Sequence, residues 1–152
     1  SSAASDVYKR QVKCMFCEII RKERESPRFI WENNSFIVFA PWASMHPFEF
    51  WIFPKRHQST IMDMTPKEID DLATTIRTCF GALRRLLSDP PYNFAFHMIP
   101  DEHFHWHIEV YPRLAIWAGF EKSTGVYINV FSPEEASLNL RKAIAEEESQ
   151  IC

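Results

Sequence analysis

His103-Phe104-His105-Trp106-His107-Ile108-Glu109-Val110 alternates an ionisable side chain with an apolar one without a break. Successive side chains of an extended strand point to opposite faces, so His103, His105, His107 and Glu109 share one face and Phe104, Trp106, Ile108 and Val110 the other. An unbroken apolar face belongs against a core and is costly to leave on an open edge. The facing row of imidazoles and a carboxylate suits two chemistries: metal binding through neutral nitrogens, or a nucleophilic imidazole oriented by its neighbours. A solvated, histidine-rich edge strand is the plainer alternative.

Working outward, the segment 103–111 reads as a strand, Asp101-Glu102 as the turn before it, and Asn93 to Met98 as the preceding strand, with His97 able to reach the same row. Upstream, Thr65-Pro66-Lys67-Glu68 is a capping box with proline in the first turn. It opens a helix whose apolar stripe is Ile69, Leu72, Ala73, Ile76, Phe80, Leu83 and Leu87, ended by Asp89-Pro90-Pro91. Further upstream, Phe29-Ile30-Trp31 and Ser35 to Phe39 flank Asn33-Asn34 as a hairpin, and Phe48 to Phe53 forms a third strand stopped by Pro54. Glu18 to Arg28 reads only as a short charged stretch. Downstream, Ser132-Pro133-Glu134-Glu135 opens a C-terminal helix through Leu138, Leu140 and Ile144. These elements predict an α+β domain, an antiparallel sheet with one long helix and a C-terminal helix packed on it.

The chain has 152 residues, 46% of them hydrophobic and 24% charged, enough to bury one core. A net charge of −3 offers no footprint for a polyanion, so no nucleic-acid partner is expected. Gly81, Gly119 and Gly125 are the only glycines, which excludes glycine-rich Rossmann and P-loop cradles. No apolar run is long enough for a bilayer span and no secretory segment is visible, so the expectation is a cytoplasmic protein without membrane contact. Residues 1–11 read as a disordered leader of the kind left by an assembly scar, and 12–152 as one domain.

Cys14 and Cys17 form a CxxC pair that suits a two-thiolate bite on zinc; a redox pair or two unrelated core thiols are the alternatives. His57, just after a strand, is a candidate third ligand, and His105 or His103 the fourth. Cys79 and Cys152 read as incidental to function.

Several blocks then stand in the order of a known family. They are Cys14-Met15-Phe16-Cys17-Glu18-Ile19-Ile20, Pro47-Phe48-Glu49, Pro54-Lys55-Arg56-His57, Asp89-Pro90-Pro91-Tyr92-Asn93, His105-Trp106-His107-Ile108-Glu109 and Pro112-Arg113-Leu114. Gly119-Phe120-Glu121, Gly125-Val126-Tyr127-Ile128-Asn129 and Pro133-Glu134-Glu135 follow. Over about residues 14–145 the chain resembles the histidine-triad superfamily, and within it the second half of the galactose-1-phosphate uridylyltransferases.

The resemblance implies a histidine-triad-like fold and a ping-pong nucleotidyl transfer. In that family a histidine of an HPH motif in the first half attacks the α-phosphorus of UDP-glucose, and galactose 1-phosphate takes the uridylyl group. Laid on that motif, His107 is the counterpart of the nucleophile and Glu109 of a phosphate-contacting glutamine. His105 then joins Cys14, Cys17 and His57 as a ligand of zinc, or of iron. In the simpler HφHφHφφ register the nucleophile is His105, and the sequence leaves both registers open. Glu121 and Asn129 are implied as substrate contacts, Glu121 to sugar hydroxyls. Glutamate in place of glutamine at 109 argues against a fully active uridylyl site in this half, because an ionised carboxylate repels phosphate; metal ligation suits it better. The implied partners are a nucleoside diphosphate sugar, a hexose 1-phosphate, an N-terminal half and a second copy. A self-sufficient histidine-triad hydrolase or sugar-nucleotide phosphorylase, and a non-catalytic zinc-stabilised half, are the other readings.

Overall fold

The structure is a computed structural model that describes residues 14–113 and 131–151. The leader, Cys152 and the substrate contacts expected at Glu121 and Asn129 lie outside the described residues. In chain order the elements are α1 (Met15–Glu23), β1 (Phe29–Glu32), β2 (Phe36–Phe39), β3 (Phe50–Pro54), α2 (Pro66–Leu87), β4 (Tyr92–His97), β5 (His107–Pro112) and α3 (Pro133–Ile151). The strands form one antiparallel sheet in the order β1-β2-β3-β5-β4. The architecture is α+β, as the patterning predicts. No helix among the described residues is long and apolar enough to cross a membrane.

Each connection has a local cause. Asn33 closes the first hairpin by accepting the backbone N–H groups of Ser35 and Phe36 on its Oδ1 (3.0 and 2.8 Å), and its amide donates to Thr75 on α2. Thr65 and Glu68 form the capping box of α2. At the other end Ser88 and Asp89 both turn left-handed (φ 56° each), which stops the helix and swings the chain into β4.

Four elements differ from expectation. The charged stretch after Cys14 folds as α1, because Phe16, Ile19 and Ile20 fall at helical spacing and dock on the sheet; nine residues give too short a window for that period to stand out. The third strand starts at Phe50, since Phe48 adopts a positive φ of 62° that breaks the extended run. The histidine strand starts at His107: the N–H of His103 bonds Asp101 Oδ1 (2.8 Å) and that of Phe104 bonds the Asp101 carbonyl (3.0 Å), which holds 101–104 in a turn. Phe104 accordingly leaves the core side and packs on Phe16 and His107. On α2 the buried line runs through Asp71, Thr75, Cys79, Ala82 and Leu83, while Ile69 is exposed. Its polar members are satisfied, Asp71 by Ser35 and Thr75 by the Asp71 carbonyl.

The middle of the sheet is covered on both faces, while β4 stays largely exposed. Ile30, Val38, Ile52, Trp106, Ile108 and Val110 pack under Cys79 and Leu83 of α2 and Leu140 and Ile144 of α3. Ile37, Phe39 and Phe53 pack under Phe16 and Ile20 of α1. Every residue of β2 is therefore buried.

The segment after β3 is fastened to α2 by a small polar network. Gln58, buried, donates to Glu68 (2.8 Å) and accepts from the Trp106 indole (3.2 Å), while Arg56 donates to Glu68 Oε1 at 2.7 Å. The Arg56 guanidinium holds the Glu68 carboxyl down at about 2.

Two predictions follow from this packing. Leu140 is buried and Leu138 is 43% exposed on the same helix. Leu140→Ala should cost about 2–5 kcal/mol in denaturant unfolding and Leu138→Ala less than about 1 kcal/mol. Because the folded Glu68 carboxyl sits below its ordinary value of 4.5, its contribution is complete above that value and is lost as pH falls from there towards 2. Glu68→Gln should lower Tm near neutrality and lose that difference in the same acid window.

Candidate active site and metal centre

β5 presents His107 and Glu109 on the face turned away from α2, and His105, just before the strand, lies on the same side. All three are buried. The conformations of α1 and of the segment after β3 then decide what the imidazoles meet.

His105 Nε2 lies 2.6 Å from the Pro54 carbonyl and must donate to it, because a carbonyl only accepts. Its lone pair is therefore on Nδ1, which faces Cys17 Sγ at 3.5 Å and Cys14 Sγ at 3.9 Å. His57 repeats the arrangement: Nε2 donates to the Glu102 carbonyl (2.7 Å) and Nδ1 faces Cys17 Sγ at 3.5 Å. The four ligand atoms lie within 4.8 Å of one another. Ligand bonds of about 2.3 Å to sulfur and 2.0–2.1 Å to nitrogen, set tetrahedrally, put sulfur and nitrogen about 3.6 Å apart, so the residues fit a zinc-sized ion. The two carbonyls are the outer partners that ligand histidines generally have. His103 stays outside this group, exposed on the turn beside Glu102.

Burial, and then the neighbouring Cys14 thiol, push Cys17 up to about 11, so without a cation it is a poor thiolate and unsuited to redox exchange. A cation reverses that balance. Burial also drives His105 down to about 4, which keeps its imidazole neutral and able to ligate.

His107 is held differently. Nδ1 donates to the His105 carbonyl (3.2 Å), leaving the lone pair on Nε2. Its ring is boxed by Phe53 (4.5 Å between centroids, stacked), His97 (5.0 Å, stacked), Phe16 (5.1 Å) and Trp51 (5.4 Å). Burial lowers its pKa, so the ring is neutral. Beside it opens a cleft of about 400 Å³ lined by Phe16, Trp51, Phe96, Met98, Ile99 and Phe104, with His97, His107 and Glu109 also on its wall.

Glu109 is the acidic member of the group. Its Oε2 takes the Tyr111 hydroxyl and lies 2.5 Å from His97 Nε2, an approach off the hydrogen-bond axis; Oε1 lies 3.5 Å from His107 Nε2. His97, His107 and Glu109 also have the spacing of a metal-binding trio. Tyr111 and Trp51 are members of the site that the sequence reading missed. The parity of each strand held the hint, since Tyr111 stands two residues after Glu109 and Trp51 two before Phe53.

A family model described as a domain of unknown function, DUF4921, matches residues 10–151. The chain belongs to this family. This DUF4921 chain is 32% identical over 145 residues to an ADP-glucose phosphorylase of Arabidopsis thaliana, covering 90% of itself and 40% of that protein. It is 30% identical over 152 residues to a galactose-1-phosphate uridylyltransferase of Thermotoga maritima, covering 91% and 48%. It thus spans about half the length of these relatives or less. A solved uridylyltransferase structure superposes with a TM-score of 0.75 at 27% identity, covering 95% of the chain and 49% of that structure. A Zn-bound histidine triad family protein of Mycobacterium smegmatis shares the fold, with a TM-score of 0.63 at 23% identity over 90% of this chain and 96% of that one. The chain is uridylyltransferase-like and histidine-triad-like in fold.

The Cys14, Cys17, His57 and His105 geometry predicts one metal ion per chain by native mass spectrometry and elemental analysis. Cys17→Ser should weaken metal retention at least about tenfold, and chelation should lower the Tm of the parent protein more than that of the variant.

Proposed function

We propose that this chain is a nucleotidyltransferase half of the hexose-1-phosphate uridylyltransferase type, with His107 as the nucleophile. The observation that carries the reading is the tautomer of His107: Nδ1–H is committed to the His105 carbonyl, which leaves the lone pair on Nε2, 3.5 Å from Glu109 Oε1, in a ring that lines the cleft. A neutral, desolvated imidazole near neutral pH is both a competent nucleophile and a competent leaving group. Nε2 attacks the α-phosphorus of a nucleoside diphosphate sugar, the bond to the bridging oxygen breaks, and the sugar 1-phosphate departs with that electron pair. The nucleotidyl group then passes from Nε2 to the phosphate oxygen of a hexose 1-phosphate. His105 is not free for this role, since both of its ring nitrogens are engaged.

Cys14, Cys17, His57 and His105 would hold zinc, with iron as the alternative. Such a closed set of four ligands supplies folding energy rather than an open coordination position. Glu109 is tolerable near a phosphate because the Tyr111 hydroxyl donates to its carboxyl group. An N-terminal half, a second copy, the sugar contacts at Glu121 and Asn129 and a cytoplasmic location complete the proposal. The similarity to an ADP-glucose phosphorylase favours one further reading, in which inorganic phosphate is the acceptor.

Intact-mass spectrometry after incubation with UDP-glucose or ADP-glucose, denatured under mildly alkaline conditions, tests the reading. A nucleotidyl-sized gain is expected, absent in His107→Ala and retained in His105→Ala. Chasing the adduct with galactose 1-phosphate or inorganic phosphate separates transferase from phosphorylase. A metal-bearing protein that gains no mass with either donor would leave the non-catalytic half as the reading.

A further inference from the structure

Glu49 is a buried acid that the proposed chemistry does not use. It is 4% exposed, and burial raises its carboxyl above the ordinary value. Its contacts are neutral donors: the Trp51 indole N–H on Oε2 at 2.8 Å, the Met45 backbone N–H on Oε1 at 3.2 Å and the His46 backbone N–H. No Lys or Arg among the described residues forms a salt bridge with it, although the His46 ring is near enough to favour its ionised form. Burying a carboxylate in this way is expensive, and a glutamine oxygen could accept from the same donors. Either oxygen fixes the direction of the indole N–H, which can only donate.

That direction matters because Trp51 is one wall of the His107 box. Its ring lies 5.4 Å from the imidazole, tilted by 30°, and it also lines the cleft. Of the rings around His107, Phe16, Phe53 and Phe104 are held by packing alone, whereas Trp51 has a hydrogen-bonded handle. The backbone supports the same arrangement. Phe48 takes its left-handed φ immediately before Glu49, and β3 parity then puts Glu49 on the side of Trp51 and Phe53 while Phe48 and Phe50 enter the opposite core.

We propose that Glu49 is a positioning residue for His107, acting through Trp51: its carboxylate pins the indole so that the imidazole keeps Nδ1–H on the His105 carbonyl and its lone pair on Nε2. The inference rests on the reading of His107 as the nucleophile, and its test separates the two.

The intact protein and its Glu49→Gln, Glu49→Ala, Trp51→Phe and Glu49→Ala/Trp51→Phe forms are compared by two readouts. One is the ¹⁵N spectrum of the His107 imidazole and the Trp51 indole N–H; the other is the rate of nucleotidyl labelling at saturating UDP-glucose. In Glu49→Ala the indole proton should exchange with solvent at least about tenfold faster, the His107 ring should populate both tautomers, and labelling should slow by roughly tenfold. Glu49→Gln should restore most of the rate, and Glu49→Ala should change nothing further in the Trp51→Phe background. That last comparison also applies if Glu49→Ala alone folds poorly. An unchanged His107 spectrum and rate in Glu49→Ala, or equal losses in Ala and Gln, would overturn the proposal. If the parent protein is never labelled while the spectra respond as expected, the transfer reading fails and the positioning role stands.

Discussion

A strand segment that buries both of its faces must satisfy its own polar side chains from within the protein, and here that demand arises at His105, His107 and Glu109. The apolar side, with Trp106, Ile108 and Val110, needs only the α2 and α3 layer. The polar side needs acceptors, donors and counter-charges at set positions. Pro54 and His105 supply carbonyls, Tyr111 a hydroxyl, His97 an imidazole, and Cys17 of α1 with Cys14 just before it two thiols. Placing those groups accounts for why a nine-residue helix lies over the sheet and why the chain after β3 bends back towards the histidines. Without α1 the imidazoles would face water, and the aromatic box that keeps His107 neutral would lose Phe16.

The site is divided by a single step along the chain. Side chains two apart on an extended strand are about 7 Å apart, far enough for His105 and His107 to belong to different groups while remaining on one face. His105 turns its lone pair towards the thiols and His107 turns its own towards the cleft, and the carbonyl between them orients the second ring. Any change that shifts the backbone at His105 therefore reaches both groups.

Much of this was legible in the residues. The period-2 run placed Trp106 against the core and the ionisable side chains opposite, the capping box at Thr65 marked the start of α2, and CxxC pointed to His57 and to His105 or His103 as companions, of which the structure brings His105. What was hidden has identifiable causes. α1 is short and charged, so its apolar face emerges only when Ile37 and Phe39 are seen to need a cover. The turn at Asp101 depends on a side-chain bond that no alternation reveals, and it removed His103 from the row. Glu49 and Tyr111 acquire meaning only from the ring or carboxylate across from them, which is a tertiary fact.

The docking of α3 on β1 carries a consequence for synthesis. Arg28 pairs with Glu134, and the carbonyls of Arg28 and Phe29 are taken by Ser137 and Arg141, more than a hundred residues later. A chain emerging from the ribosome at about 5–20 residues per second completes its strands and α2 several seconds before α3 is available. Through that interval Ile30, Val38, Cys79 and Leu83 lack the Leu140 and Ile144 that later cover them. The nascent protein thus carries a greasy, half-roofed sheet that holdase chaperones would recognise, and release from them would be timed by the translation of α3.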